Sequence, residues 1–124
     1  MEDLMKVLAL NSGPRAGDQS YTTLMLNHLV EGMKDEGADV EVIHLRTRKI
    51  RNCIGCFTCW TKTPGKCIHK DDMTNELFPK FLASDLVIYA SPLYFHTLNA
   101  QMAAFIERTL PAALPFFEED EEGN

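Results

Sequence analysis

The chain has 124 residues, enough for one domain and too few for two of ordinary size. Its apolar fraction of 45% calls for a buried core and excludes a disordered chain. Acidic residues outnumber basic ones, 18 to 12, for a formal charge of -6, a balance that speaks against nucleic acid as the partner.

The chain opens without a secretory pattern: "MKVLAL" runs straight into "NSGPRAGD", with no cleavage-like segment. No stretch approaches the roughly 20 apolar residues that cross a bilayer. These features predict a cytoplasmic protein without membrane contact. Residues 5–11, "MKVLALN", form the near-continuous apolar run of a buried parallel strand. The polar "SGPRAGDQS" ends it. Over 21–36, Leu24, Leu26, Leu29, Val30 and Met33 recur at helical spacing, and Gly37 supplies a stop. "ADVEVIHL" predicts a second strand, and a cysteine-rich insertion follows over 49–70.

Asp71 or Asp72 caps a helix predicted over 73–84, with Leu77, Phe78, Phe81 and Leu82 facing inward and Pro79 kinking or dividing it. "DLVIYASP" is the third strand. After "LYFHTL", Asn99 caps a last helix whose Met102, Phe105, Ile106 and Leu110 share a face. Buried strands alternating with amphipathic helices predict an α/β fold, a parallel sheet with helices on both faces and right-handed crossovers. So apolar a third strand makes a poor edge, so further strands are expected beyond these residues.

Ligands of a parallel sheet bind beyond the carboxyl ends of its strands. The loop after the first strand offers the hydroxyls of Ser12, Ser20, Tyr21 and Thr22, the charged fork of Arg15 and a helix N-terminus, a set suited to phosphate. It lacks both the dinucleotide and the P-loop glycine patterns. The loop after the third strand brings Pro92, Tyr94 and Phe95 to the same edge, where aromatic side chains suit a flat ring. His96 is open to three readings: an acid, a ring contact or a surface residue.

"NSGPRAGDQSYTTL", "CIGCFTCWTKTPGKCIHKDDM" and "ASPLYFHTLNAQMAAFIERT" together resemble the flavodoxin-like NAD(P)H-dependent FMN reductases, including their iron-sulfur flavoprotein branch. The resemblance covers about residues 5–110. It implies a three-layer α/β/α fold of which this chain holds the N-terminal three-strand portion. It also implies FMN, with the phosphate on Ser12, Arg15, Gln19, Ser20 and Thr22 and the ring against Pro92, Leu93, Tyr94 and Phe95. Members form homodimers or homotetramers with the flavin near the interface. The implied reaction is hydride transfer from NAD(P)H to FMN and onward transfer of electrons to an unidentified acceptor. An electron carrier between proteins is the alternative. The first loop departs from the usual Gly-Ser-Pro-Arg in its "NSGPR", and His96 stands where a small residue is frequent.

Cys53, Cys56, Cys59 and Cys67 supply four soft ligands, enough for a [4Fe–4S] cluster or a four-thiolate zinc site. The close run of the first three resembles cluster ligation, and "TPGK" provides the turn that returns Cys67. Two other readings stand beside it: an unligated loop packed by Ile54, Phe57 and Trp60, and a zinc-stapled interaction domain. A reducing compartment disfavours a disulfide.

Overall fold

A computed structural model describes residues 4–15, 20–114 and 121–123. The first strand, β1 (Lys6–Asn11), is central and flanked in parallel by β2 (Asp39–His44) and β3 (Leu86–Ala90), in the order β2-β1-β3. The register runs from Lys6 opposite Asp39 to Asn11 opposite His44 on one side. On the other it runs from Val7 opposite Leu86 to Asn11 opposite Ala90. The carboxyl ends of β1, β2 and β3 therefore meet at one edge.

The period of two along β1 divides the core between two faces. Val7 and Ala9 pack with Val40, Leu26 and Val30, under helix α1 (Tyr21–Asp35). Leu8 and Leu10 pack the other way with Ile43, Leu77, Met102 and Phe105. Helix on one side and helices on the other give the three-layer α/β/α arrangement that the alternation of strands and helices predicts.

Helix α1 begins at the Ser20 cap, whose hydroxyl accepts from the Thr23 amide. It ends where Gly37 turns to φ +92°, with Gly37 N–H donating to Lys34 O and Ala38 N–H to Met33 O. That pair of bonds satisfies the last carbonyls, and the left-handed residue between them favours glycine. Two of the expected core positions lie elsewhere. Leu24 and Leu29 are exposed, and Thr23 takes a buried place, because the inward stripe runs along 23, 26 and 30.

The helix expected over 73–84 is divided, as Pro79 requires. A π-helical turn at Met73–Leu77 precedes a short helix, α2 (Phe78–Ala83). Phe78 N–H reaches back five residues to Met73 O, and Pro79, which has no N–H to give, stands in the first turn of α2. Leu77 is fully buried, but Leu82 is 59% exposed, a correction to its expected inward placement: the wider π turn shifts the phase of the helical residues after it.

Beyond β3, two short strands, β4 (Leu93–Tyr94) and β5 (Thr97–Leu98), make an antiparallel hairpin that the sequence pattern did not disclose. Helix α3 (Ala100–Glu107) follows, capped by Asn99 as expected; Phe105 is buried at its centre while Ile106 is partly exposed. Among the described residues β3 pairs only with β1, and Leu86 and Tyr89 on it are exposed.

Leu77→Ala is expected to cost roughly 2–5 kcal/mol in urea unfolding, because it empties a fully buried site. Leu82→Ala is expected to stay within about 0.5 kcal/mol of the parent. Equal losses at the two positions would contradict the phase of the π turn.

Candidate functional site

The loop after β1 is built around buried polar groups. Asn11 is fully buried, its Nδ2 donating to Thr23 Oγ1 at 3.0 Å and its Oδ1 accepting from Gly13 N–H at 2.8 Å. A Cβ at residue 13 would stand 3.1 Å from that oxygen, close enough that the Asn11 side chain would have to shift by a few tenths of an ångström. Ser12 is also fully buried; its N–H donates to Ala90 O at 2.9 Å, and its hydroxyl faces the same carbonyl at 3.4 Å. It fastens β1 to the end of β3. Arg15 is exposed, Thr22 is half-buried, and the Ser20 hydroxyl, accepting from Thr23 N–H, keeps its own proton for donation. Gln19 lies outside the described residues.

Asn99 joins this loop to the one after β3. Its Nδ2 donates to Ser12 O at 2.7 Å, its Oδ1 accepts from Met102 N–H at 3.1 Å, and its N–H donates to Ser91 Oγ at 3.1 Å. One residue thus caps α3 and holds both loops at the sheet edge; the sequence pattern marked only the cap. Ser91 and Thr22 line a common groove between β3 and α1. The hairpin carries Leu93, Tyr94 and Phe95 outward, at 74%, 49% and 97% exposure, while Pro92 is half-buried beside Ser91. Phe95 and His96 form its two-residue turn at φ 48° and 65°, the left-handed region that such a turn demands and aromatic residues seldom occupy.

The cysteine segment is held at several points. Positive φ at Gly55 and Phe57 folds the chain back between successive cysteines, and Gly65 N–H donates to Cys59 O at 2.8 Å to close the longer turn. All four thiols are free and line a single pocket. Cys59 is buried, Cys56 exposed, and Cys53 and Cys67 lie between. Burial first, then the charges of Cys67, Cys53 and Cys56, push the Cys59 thiol up. Of the three residues expected to pack an unligated loop, Ile54 is 65% exposed and Phe57 is also exposed. Trp60 is half-buried, its ring 5.0 Å from that of Phe57 and its N–H donating to Leu110 O at 3.4 Å.

The deepest anchor is an ion pair. Arg108, 2% exposed, binds Asp71 through both terminal nitrogens, at 2.7 and 3.0 Å. The same guanidinium donates to Arg51 O at 2.8 Å and Thr74 Oγ1 at 3.0 Å, and Asp71 also accepts from Arg51 N–H at 2.8 Å. Burial would raise the Asp71 carboxyl, but the bonds from Arg108, Arg51 and Thr74 override it and hold the group well below the usual carboxylate range. Next to Arg108, Glu107 accepts from Cys53 N–H at 3.0 Å. The sequence marked Asp71 as a helix cap and passed over Arg108 and Glu107. The signal was present: Arg108 stands three positions after Phe105, on the buried side of α3.

The two metal readings place different demands on the cysteine pocket. A zinc ion with Zn–S bonds of about 2.3 Å needs its sulfurs drawn tightly around one point. Among the described residues no three His, Cys, Asp or Glu side chains converge that way. The same lack of convergence means that no ligand set for a [4Fe–4S] unit is preformed either; the four thiols around one pocket, walled in part by the apolar Ile68, Leu110 and Pro111, match such a unit in donor type and number alone.

Comparison with known proteins shows the family and the fold. Residues 5–118 match the family "NADPH-dependent FMN reductase". An iron-sulfur flavoprotein of Archaeoglobus fulgidus is 38% identical over 107 residues, covering 86% of this chain and 46% of the relative. One from Methanocaldococcus jannaschii is 33% identical, covering 90% of this chain and 55% of the relative. The chain therefore spans about half the length of these relatives. The azoreductase of Bacillus anthracis shares the fold at a TM-score of 0.69 and 18% identity, over 97% of this chain and 62% of that structure.

Arg108→Leu is expected to destabilise by roughly 3–5 kcal/mol, since it strands a buried carboxylate. Asp71→Asn should cost less at low pH than at neutrality. The sign follows from the depressed carboxyl: its contribution is complete above the ordinary aspartate value of about 3.9 and fades as the pH falls below it. Urea midpoints across that range test this, and a parent and Asp71→Asn pair with parallel pH profiles would contradict it.

Proposed function

The chain belongs to the NADPH-dependent FMN reductase family, and from that premise we propose that it forms the FMN-binding half of an oxidoreductase that takes hydride from NAD(P)H and passes electrons to a second acceptor. The observation that carries the reading is the Ser12–Asn99–Ser91 link, which holds a phosphate-type loop and an aromatic hairpin side by side at the carboxyl edge of a parallel sheet.

Each part has a share in holding the cofactor. Arg15, Ser20, Thr22 and the first-turn amides of α1 complement the phosphate, with Gln19 beside them in sequence. Ser12 acts through the loop it fastens, its own hydroxyl being turned to Ala90. Pro92, Leu93, Tyr94 and Phe95 present a largely apolar edge to a planar ring. FMN, when bound, supplies the hydride and single-electron chemistry, and the protein orients it and excludes water. The exposed hairpin suits a homodimer or homotetramer in which a second subunit covers the flavin.

For the cysteine pocket we favour a [4Fe–4S] cluster on Cys53, Cys56, Cys59 and Cys67. The shared pocket supports it, and so do relatives whose names are iron-sulfur flavoproteins. This supports the second reading, an electron carrier between proteins, as a further use of the same flavin site.

Three outcomes are expected of the full-length protein purified without oxygen. It retains FMN and is reduced by NAD(P)H. Arg15→Ala loses about 1.5–3 kcal/mol of FMN affinity. Cys56→Ser loses iron and labile sulfide while keeping FMN. Absence of flavin binding would refute the main reading; flavin without iron would refute the cluster alone.

A further inference from the structure

The cysteine segment differs in charge from everything around it. From Leu45 to Lys70 the chain carries seven of its 12 lysines and arginines and none of its 18 carboxylates. The rest of the chain sets the remaining five cations against all 18 acids. Soluble surfaces ordinarily intersperse the two signs, and a -6 protein has every reason to do so.

The cations are also available. Arg48 pairs with Glu76, but Arg46, Lys49, Arg51, Lys62, Lys66 and Lys70 form no ion pair among the described residues. All of those six except Arg46 are exposed. The nearest carboxylates are engaged: Asp71 by Arg108, Asp72 by Lys49 N–H, and Glu107 by Cys53 N–H. At the mouth of the cysteine pocket stand three exposed apolar side chains, Ile54 at 65%, Phe57 at 45% and Ile68 at 54%. Lys66 and Lys70 line one groove with Ile68, and apolar side chains with free charge beside them are the layout of a protein-docking patch, in which charge steers encounter and the centre excludes water.

We propose that this face docks an acidic protein, whose carboxylates meet the lysines and arginines of 46–70 and whose apolar centre covers Ile54, Phe57 and Ile68. A nucleic acid fits less well. Its phosphates continue past the island onto the carboxylate-rich remainder of the chain, and the apolar centre offers them nothing. The docking rests on charge and exposure and does not need a cluster in the pocket. Only its use in electron exchange rests on the proposed flavin and cluster chemistry.

The test takes the full-length protein and measures calorimetric binding of flavodoxin as an acidic electron-carrier probe, cytochrome c as a basic one, and a single-stranded RNA oligonucleotide. Flavodoxin is expected to bind and cytochrome c not to bind at this face. The affinity should fall on the order of tenfold between roughly 50 and 200 mM salt. Lys62→Glu with Lys66→Glu should weaken it by a further order of magnitude, about tenfold, at unchanged thermal midpoint and flavin content. Glu31→Lys, exposed on α1, should leave it unaltered. Binding retained in Cys56→Ser after iron is lost separates docking from the cluster. No binding of flavodoxin, binding indifferent to the lysine reversals, or tighter binding of RNA would overturn the proposal.

Discussion

The buried pair of Asp71 and Arg108 is the constraint on which the cysteine side of the molecule depends. Arg108 arrives at the end of α3, Asp71 at the entry to the π turn, and both reach Arg51 at the head of the cysteine segment. Desolvating two charges is costly, and the cost is met only because nearly every lone pair and proton finds a partner. The exception is Arg108 Nε, which is buried without one among the described residues. An apolar pair of the same size would serve stability as well. What the ion pair adds is direction: its bonds fix where the backbone at Arg51 must lie, and with it the start of the run from Cys53 to Cys67.

At the other end of the same helix, Asn99 plays a corresponding part. It caps α3 and binds the loops after β1 and β3, so this one short helix carries a clamp at each end. The proposed flavin edge and the cysteine pocket are thereby placed relative to each other by a single rigid element. The hairpin that precedes α3 has the opposite character. Its turn forces Phe95 and His96 into left-handed conformations and leaves Phe95 almost wholly exposed. Strain of order 1–3 kcal/mol per residue is kept where structure elsewhere compensates it, and it is concentrated at ligand-binding sites.

Much of the architecture was legible in the residues. The apolar runs of β1 and β3, the Gly37 stop, the Asn99 cap and the break at Pro79 depend on local chemistry, and each appears where that chemistry places it. Inward faces were less legible. Leu24, Leu29 and Leu82 are leucines at plausible spacing, but which of several adjacent apolar residues is buried depends on how the neighbouring layer sits. The β4–β5 hairpin is silent in the sequence because its turn is Phe-His in place of the Asn-Gly that announces such turns. At the site, residue types suggested the phosphate loop and the four thiols. Long-range partners such as Asp71 and Arg108, or Ser12 and Asn99, are separated by 37 and 87 positions and could be found only in the fold.

The central claim is that the first and third-strand loops, held together through Asn99, form one flavin-binding edge. Amide hydrogen exchange of the full-length protein, with and without FMN, tests it most directly. Joint protection of the backbone at 12–23 and 91–99 is expected on adding FMN. Protection confined to other segments, or no protection at saturating FMN, would contradict it.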